Sequence, residues 1–167
     1  MTVPLFHCYG SVNGTLVGLH YGATLVIPAP AFSGKASVAA AAKEQCTVMY
    51  GTPTMHIAML NTAHFQSYDL SSLRLACTGA ATCPESLVRE MKTKYGLEVV
   101  VVRPREHLKM ENLLMFLQNT YGMTETSPLT FASLPEDSDQ LRAETVGYPM
   151  EHCEVLKSGL TQLILHI

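Results

Sequence analysis

Apolar runs and helix-like stretches alternate through the first hundred residues. Ala23-Thr24-Leu25-Val26-Ile27 is a continuous apolar run closed by Pro28, the pattern of a strand buried on both faces. Thr47-Val48-Met49-Tyr50, Leu73-Arg74-Leu75-Ala76-Cys77 and residues 97–102 repeat that pattern. Helix signals fall between the strands. Residues 11–21 suit a short helix, with Ser11 as N-cap and Gly22 as stop. Residues 35–45 are alanine-rich. Thr52-Pro53 is an N-cap hydroxyl followed by proline at the first helical position, and residues 55–60 continue that helix. Thr82-Cys83-Pro84-Glu85 fits a capping box, with a helix running to about Tyr95 and stopping at Gly96. Strands alternating with helices over short connections predict an α/β fold: a mostly parallel sheet with helices on both faces.

Such sheets bind ligands at the carboxyl ends of their strands. Here those ends lead into Gly51-Thr52-Pro53, into the small-residue loop Thr78-Gly79-Ala80-Ala81, and into whatever follows Val102. Tight packing of strand on helix would explain Gly79, Ala80 and Ala81 as well as a ligand does.

Composition narrows the class. The 167 residues are 47% hydrophobic and only 15% charged, which fits one well-buried layered domain or a piece of a larger one. The net charge of −3 and scattered lysines and arginines leave no footprint for nucleic acid or an anionic membrane. The longest apolar stretch, residues 16–27, is interrupted by Gly18, His20 and Gly22 and is too short to span a bilayer. The amino terminus lacks the basic residues of a signal peptide and reads like the interior of a domain. Five cysteines, an odd number without CxxC spacing, predict reduced thiols and argue against a zinc site.

One run stands apart: Tyr121-Gly122-Met123-Thr124-Glu125-Thr126-Ser127-Pro128 has neither helical nor strand periodicity and reads as a loop. An aromatic face stacks on a flat base, and glycine lets backbone approach a ligand. A threonine hydroxyl donates to a phosphate oxygen, and a glutamate oxygen suits Mg²⁺. A polar turn with Tyr121 half buried is the competing reading of the same residues.

Tyr-Gly-x-Thr-Glu resembles the signature loop of the adenylate-forming enzymes: acyl-CoA synthetases, luciferases and peptide-synthetase adenylation domains. Four further segments resemble the family in the same order. They are Pro4-Leu5-Phe6-His7, Gly51-Thr52-Pro53-Thr54, Thr78-Gly79-Ala80-Ala81 in place of a Gly-Gly-Ala-Pro loop, and Val146-Gly147-Tyr148-Pro149. The resemblance implies ATP-dependent activation of a carboxylic acid as an acyl-adenylate, then transfer to CoA. It is nearest to the medium-chain fatty acyl-CoA ligases of mitochondria, which implies the matrix as location. It assigns adenine stacking to Tyr121, with Gly79, Ala80 and Ala81 opposite and Gly122 beside them. It assigns a phosphate hydrogen bond to Thr124, Mg²⁺ coordination to Glu125, and the acyl pocket to His7 and Gly51. Thr124 and Glu125 are the expected catalytic pair. For His7 a hydrogen-bonded histidine under the core is an open alternative.

The chain departs from the family pattern in three places. No Ser/Thr/Gly-rich phosphate loop is found, and Ser33-Gly34-Lys35-Ala36 does not supply one. Nothing after Leu156 resembles the family's ribose-binding aspartate, hinge or lysine-bearing small domain. Residues 103–120 intervene where the family runs almost straight from strand to signature loop, and 106–118 carry Leu108, Leu113, Leu114 and Leu117 at helical spacing. The expected organisation is a partial adenylation domain over 1–156, an inserted helical segment at 103–120 and an apolar tail at 157–167. On this reading the isolated chain is not expected to catalyse the full reaction. The alternatives are a non-catalytic piece that binds nucleotide or a protein, self-associating through uncovered apolar surface, and a peptide-synthetase-type adenylation segment.

Overall fold

The structure is a computed structural model and describes residues 1–97, 116–134, 137–151, 153–158 and 162–166. A wide π-type turn, Tyr9–Leu16, runs into α1 (Val17–His20). Then follow α2 (Gly34–Lys43), β1 (Val48–Gly51), α3 (Pro53–Leu60), β2 (Leu75–Gly79) and α4 (Glu85–Tyr95). The second half adds β3 (Phe116–Gly122), β4 (Leu129–Ala132), α5 (Asp139–Glu144) and β5 (Tyr148–Pro149). A separate antiparallel hairpin, β6 (Glu154–Ser158) with β7 (Gln162–His166), occupies most of the expected tail.

The main sheet has the order β1-β2-β3-β4-β5. Parallel ladders join β1 to β2 and β2 to β3. Shorter antiparallel ladders attach β4 and β5. The sheet is open and mixed, mostly parallel, as the strand–helix alternation predicts. Alternation along the strands separates two faces. Met49 and Ala76 join the main core with Met59, Leu73, Val88 and Met91, beneath α2, α3 and α4. Their neighbours Tyr50 and Cys77 point the other way, toward Val3 and Tyr9. Helical segments therefore cover both faces. The Lys92–Asp139 ion pair, at 2.5 Å, ties α5 to α4.

Local chemistry explains most boundaries. Ser33 caps α2 through the Ala36 N–H, and Thr52 caps α3 through the Met55 N–H with Pro53 at the first helical position. Gly96, at φ +68°, ends α4. The capping box expected at Thr82 does not form. Helix α4 starts three residues later behind Pro84, and Glu85 turns outward to pair with Arg89. The first helix likewise starts at Tyr9, not after Ser11, whose hydroxyl donates back to the His7 carbonyl at 3.1 Å. Strand β2 begins two residues late and takes in Thr78 and Gly79.

Three expectations fail for a shared reason. The run 23–27 forms no strand. It follows the free edge of β1 across a groove of about 540 Å³, with Ile27 exposed. Residues 116–118, read as the end of an inserted helix, are strand, because the far edge of β2 takes them into its ladder. Tyr121 and Gly122, read as loop, close that strand. A ladder partner decides each case, and partners are not local. Of the expected strand 97–102, Leu97 is non-strand and the rest lies outside the described residues, as does 103–115 of the expected insertion.

Candidate functional site

The parallel register sets Gly79 opposite Thr120, so the bend after β2 and the end of β3 are neighbours. The approach is close. A Cβ on Gly79 would lie 2.4 Å from Thr120 Oγ1 and 2.8 Å from its carbonyl oxygen. The Thr120 hydroxyl donates to the Thr78 carbonyl at 3.1 Å and ties the strands at this point. Directly beyond, Ala80 adopts a left-handed φ of +67°, which turns the chain away from the sheet. Two clefts open around that bend, and Ala80, Thr120 and Gly122 line both.

The first cleft, of about 360 Å³, holds His7, Cys8, Asn13, Thr124 and Glu125. The second, of about 450 Å³, holds Ala81, Thr82, Cys83 and Tyr121, closed by residues 143–146. The Tyr121 ring stands edge-on to Phe131 at 6.0 Å and is 38% exposed, so part of its surface faces the opening. Thr124 and Glu125 sit in a short 3₁₀ turn, Thr124–Thr126, in the connection between β3 and β4. Both side chains are exposed. Gly122 permits this connection to close, because a Cβ there would fall 1.6 Å from the Pro128 carbonyl oxygen.

His7 arrives from the opposite face of the sheet. The Tyr9 N–H donates to His7 Nδ1 at 3.0 Å, which leaves Nε2 as the protonated nitrogen of the neutral ring. Cys8 bridges the two segments, its sulfur 3.5 Å from the Thr124 hydroxyl and 3.7 Å from His7 Nδ1.

The structure thus places His7, Thr124 and Glu125 in the first cleft and Ala81 and Tyr121 in the second, with Ala80 and Gly122 lining both and Gly79 beside the shared bend but lining neither. Gly51 is not among them. It is buried over the His56 ring, where a Cβ would lie 2.9 Å from Nε2, and it lines neither cleft. His56 supports this region from below. Its Nε2–H donates to the Cys77 carbonyl at 3.2 Å and its Nδ1 accepts from the Tyr95 hydroxyl at 3.0 Å. Burial lowers its pKa to about 4, against a weaker opposing effect of the Cys77 carbonyl. The Tyr9 hydroxyl donates to that same carbonyl at 3.2 Å, and burial holds its phenol well above the ordinary value. Burial also pushes the Cys83 thiol up to about 11, so it is inert at neutral pH.

Reading the residues alone missed Cys8, Asn13 and the wall at 143–146. For Cys8 the signal was present, since it adjoins His7. Val146 opens the Val146-Gly147-Tyr148-Pro149 segment, but nothing in that segment or in Asn13 pointed to a cleft wall. Among the described residues no group of three or more His, Cys, Asp or Glu could hold a metal, and no helix is long and apolar enough to cross a membrane.

The sequence profile described as "AMP-binding enzyme" matches residues 1–157. The human mitochondrial medium-chain acyl-CoA ligase ACSF2 is 40% identical over 151 residues, 90% of this chain and 22% of that protein. The putative acyl-CoA synthetase YngI of Bacillus subtilis is 33% identical over 153 residues, 92% of this chain and 25% of YngI. O-succinylbenzoate coenzyme A synthetase (MenE) from Bacillus subtilis, solved with ATP and magnesium, matches with a TM-score of 0.72 at 23% identity. That alignment covers 98% of this chain and 29% of MenE. The chain therefore spans about a quarter of the length of such proteins, and the likeness to MenE shows the fold.

Proposed function

The chain belongs to the AMP-binding enzyme family, and from that premise we propose that it carries the nucleotide-facing wall of an AMP-forming acid–CoA ligase. The carrying observation is the adjacency of the Ala80 bend and the Tyr121–Glu125 stretch around two clefts that share Ala80 and Gly122. Tyr121 offers a partly exposed ring to the flat face of adenine, with Ala80 and Ala81 across from it. Thr124 offers a hydroxyl to an α-phosphate oxygen. His7 offers Nε2–H to the carboxylate that attacks.

In the reaction so assigned, a carboxylate oxygen bonds to the α-phosphorus as the bond to pyrophosphate breaks. The CoA thiol then bonds to the acyl carbon as AMP leaves. Two anions meet in the first step, so positioning and charge neutralisation carry most of the catalysis. Glu125 fits a magnesium ion that arrives on the nucleotide. A single exposed carboxylate is enough, since Mg²⁺ keeps several waters and takes its other ligands from phosphate. Bound there, the ion would remove the repulsion between carboxylate and phosphate. A medium-chain fatty acid as substrate, CoA as acceptor and a mitochondrial location are proposed on the identity to ACSF2. The boundary of the adenylation unit near residue 157 is proposed on the extent of the profile match.

Isothermal titration of the chain with AMP tests the reading. Binding is expected, weakened about tenfold or more in Tyr121→Ala by loss of stacking. Absence of heat in the folded wild-type chain would overturn it. A second reading is favoured by the exposed apolar side chains of Phe6, Leu19 and Ile27. On that reading the chain associates with itself or with a partner through this surface. Sedimentation at two concentrations decides it: a concentration-independent monomer ends the self-association reading.

A further inference from the structure

Thr124 and Glu125 stand on an exposed turn of three residues, and Ser127, directly after it, is held at a left-handed φ of +53°. A non-glycine residue in that region persists only where its surroundings over-determine it. Among the described side chains, Thr126 does this. It is buried at 7% exposure while its neighbours on both sides are open.

A threonine hydroxyl has one proton to give and two lone pairs to fill. The Thr126 hydroxyl uses all three. It accepts from the Met123 N–H at 3.3 Å and from the Thr130 hydroxyl at 2.7 Å. It donates to the Met123 carbonyl at 3.0 Å, with the Pro128 carbonyl farther off at 3.5 Å. Thr130 lies on β4 and is wholly buried. The turn is thereby tied at its start to Met123 and at its base to the sheet. Its backbone bonds, Thr126 N–H to Met123 carbonyl and Ser127 N–H to Thr124 carbonyl, close within this frame.

We propose that Thr126 is a positioning residue: its hydroxyl, saturated between Met123 and Thr130, sets the turn that presents Thr124 and Glu125 to the cleft. The proposal rests on the nucleotide-binding reading for its consequence and on hydroxyl geometry alone for its mechanism. Valine in place of Thr126 keeps the shape and loses all three bonds. Serine keeps the bonds and loses a methyl. The two substitutions therefore separate hydrogen bonding from packing.

Amide hydrogen exchange and AMP titration on the full chain test it, with Thr126→Val, Thr126→Ser and Thr130→Val beside wild type. In Thr126→Val, exchange at Thr126 and Ser127 is expected to quicken about tenfold or more, while amides of β2 and α4 keep wild-type protection. AMP affinity is expected to fall about tenfold. Thr126→Ser should stay within about twofold of wild type in both readouts, and Thr130→Val should fall between the two. Wild-type exchange in Thr126→Val, or a serine variant as impaired as valine, overturns the proposal. So does a uniform loss of protection across the sheet, which would mark a packing role only. If wild type binds no AMP, the functional reading falls, and the exchange comparison still decides the role of Thr126.

Discussion

Around β1 and β2 the sheet is held by apolar side chains: Met59, Leu73, Val88 and Met91 are fully buried between the strands and helices α3 and α4. Around β3 and β4 three hydroxyls, Thr120, Thr126 and Thr130, are buried beside the apolar Ala132, whereas β2 buries the single hydroxyl of Thr78. The first half gains stability from area removed from water, which is large and tolerant of direction. The second half depends on directed bonds that are individually modest but fix geometry. Stability and site precision are thus placed in different halves, and each half should respond to a different class of substitution.

The largest expected effect is in the apolar half. Leu73→Ala removes a wholly buried side chain and should destabilise the chain by about 3 kcal/mol, lowering the melting midpoint by roughly 10 °C. Calorimetry reads this directly. A midpoint unchanged to within a degree or two would mean that the core does not carry the fold, and the contrast would collapse.

Acid should strike the same half nearly as hard. His56 lies in that half, fully buried, with its pKa lowered to about 4 by burial. An unfolded histidine titrates near 6.5. Between these values the unfolded chain binds the proton and the folded chain does not, so stability falls as pH drops from about 6.5 toward 4. The full loss is ~3 kcal/mol, and it should be largely absent from His56→Gln. Parallel pH slopes in wild type and variant would show that the acid sensitivity lies elsewhere.

In the hydroxyl half the expected signature is local. Gly122→Ala places a Cβ against the Pro128 carbonyl. The connection between β3 and β4 must open, at a cost of about 2 kcal/mol. AMP affinity should fall about tenfold or more, with α4 amides still protected from exchange. Equal loss of protection in α4 would merge the two halves into one cooperative unit.

The same division governs what the sequence showed. Helices α2 and α3 were readable because their signals are local: alanine propensity over 35–45 for the first, and for the second Thr52 and Pro53, which act within three residues. The core strands were readable because Met49 and Ala76 sit in short apolar runs. At the site, the motif named Tyr121, Thr124 and Glu125. It could not show that Tyr121 ends a strand, because that depends on β2 standing alongside. Nor could it show the run 23–27 failing to pair, since nothing in Leu25 or Val26 reports a missing ladder. Thr126 and Thr130, four apart, look like ordinary turn and strand residues. The chain reversal at Ser127, at a left-handed φ of +53°, lies between them, and their oxygens meet at 2.7 Å.

The smallest effect gives the sharpest comparison, because one substitution is made twice. Ala76 lies mid-strand in β2, fully buried in the apolar core. Ala80 lies four residues on, exposed, at a φ of +67°. Ala76→Gly loses a packed methyl and adds chain freedom to a strand, and should destabilise by about 1–2 kcal/mol. Ala80→Gly also adds freedom to the unfolded chain, but it releases the clash of a Cβ in a left-handed backbone, worth about 1–2 kcal/mol. The net should be a gain of some 0.5 kcal/mol, read as a rise in melting midpoint of about 1–2 °C. The freed bend should hold adenine less well, so AMP affinity should drop two- to threefold as stability rises. Opposite signs for the two alanines would locate backbone strain at the nucleotide wall. A fall in midpoint for both would mean that the Ala80 bend is held by packing, and that the two halves of the sheet follow one rule.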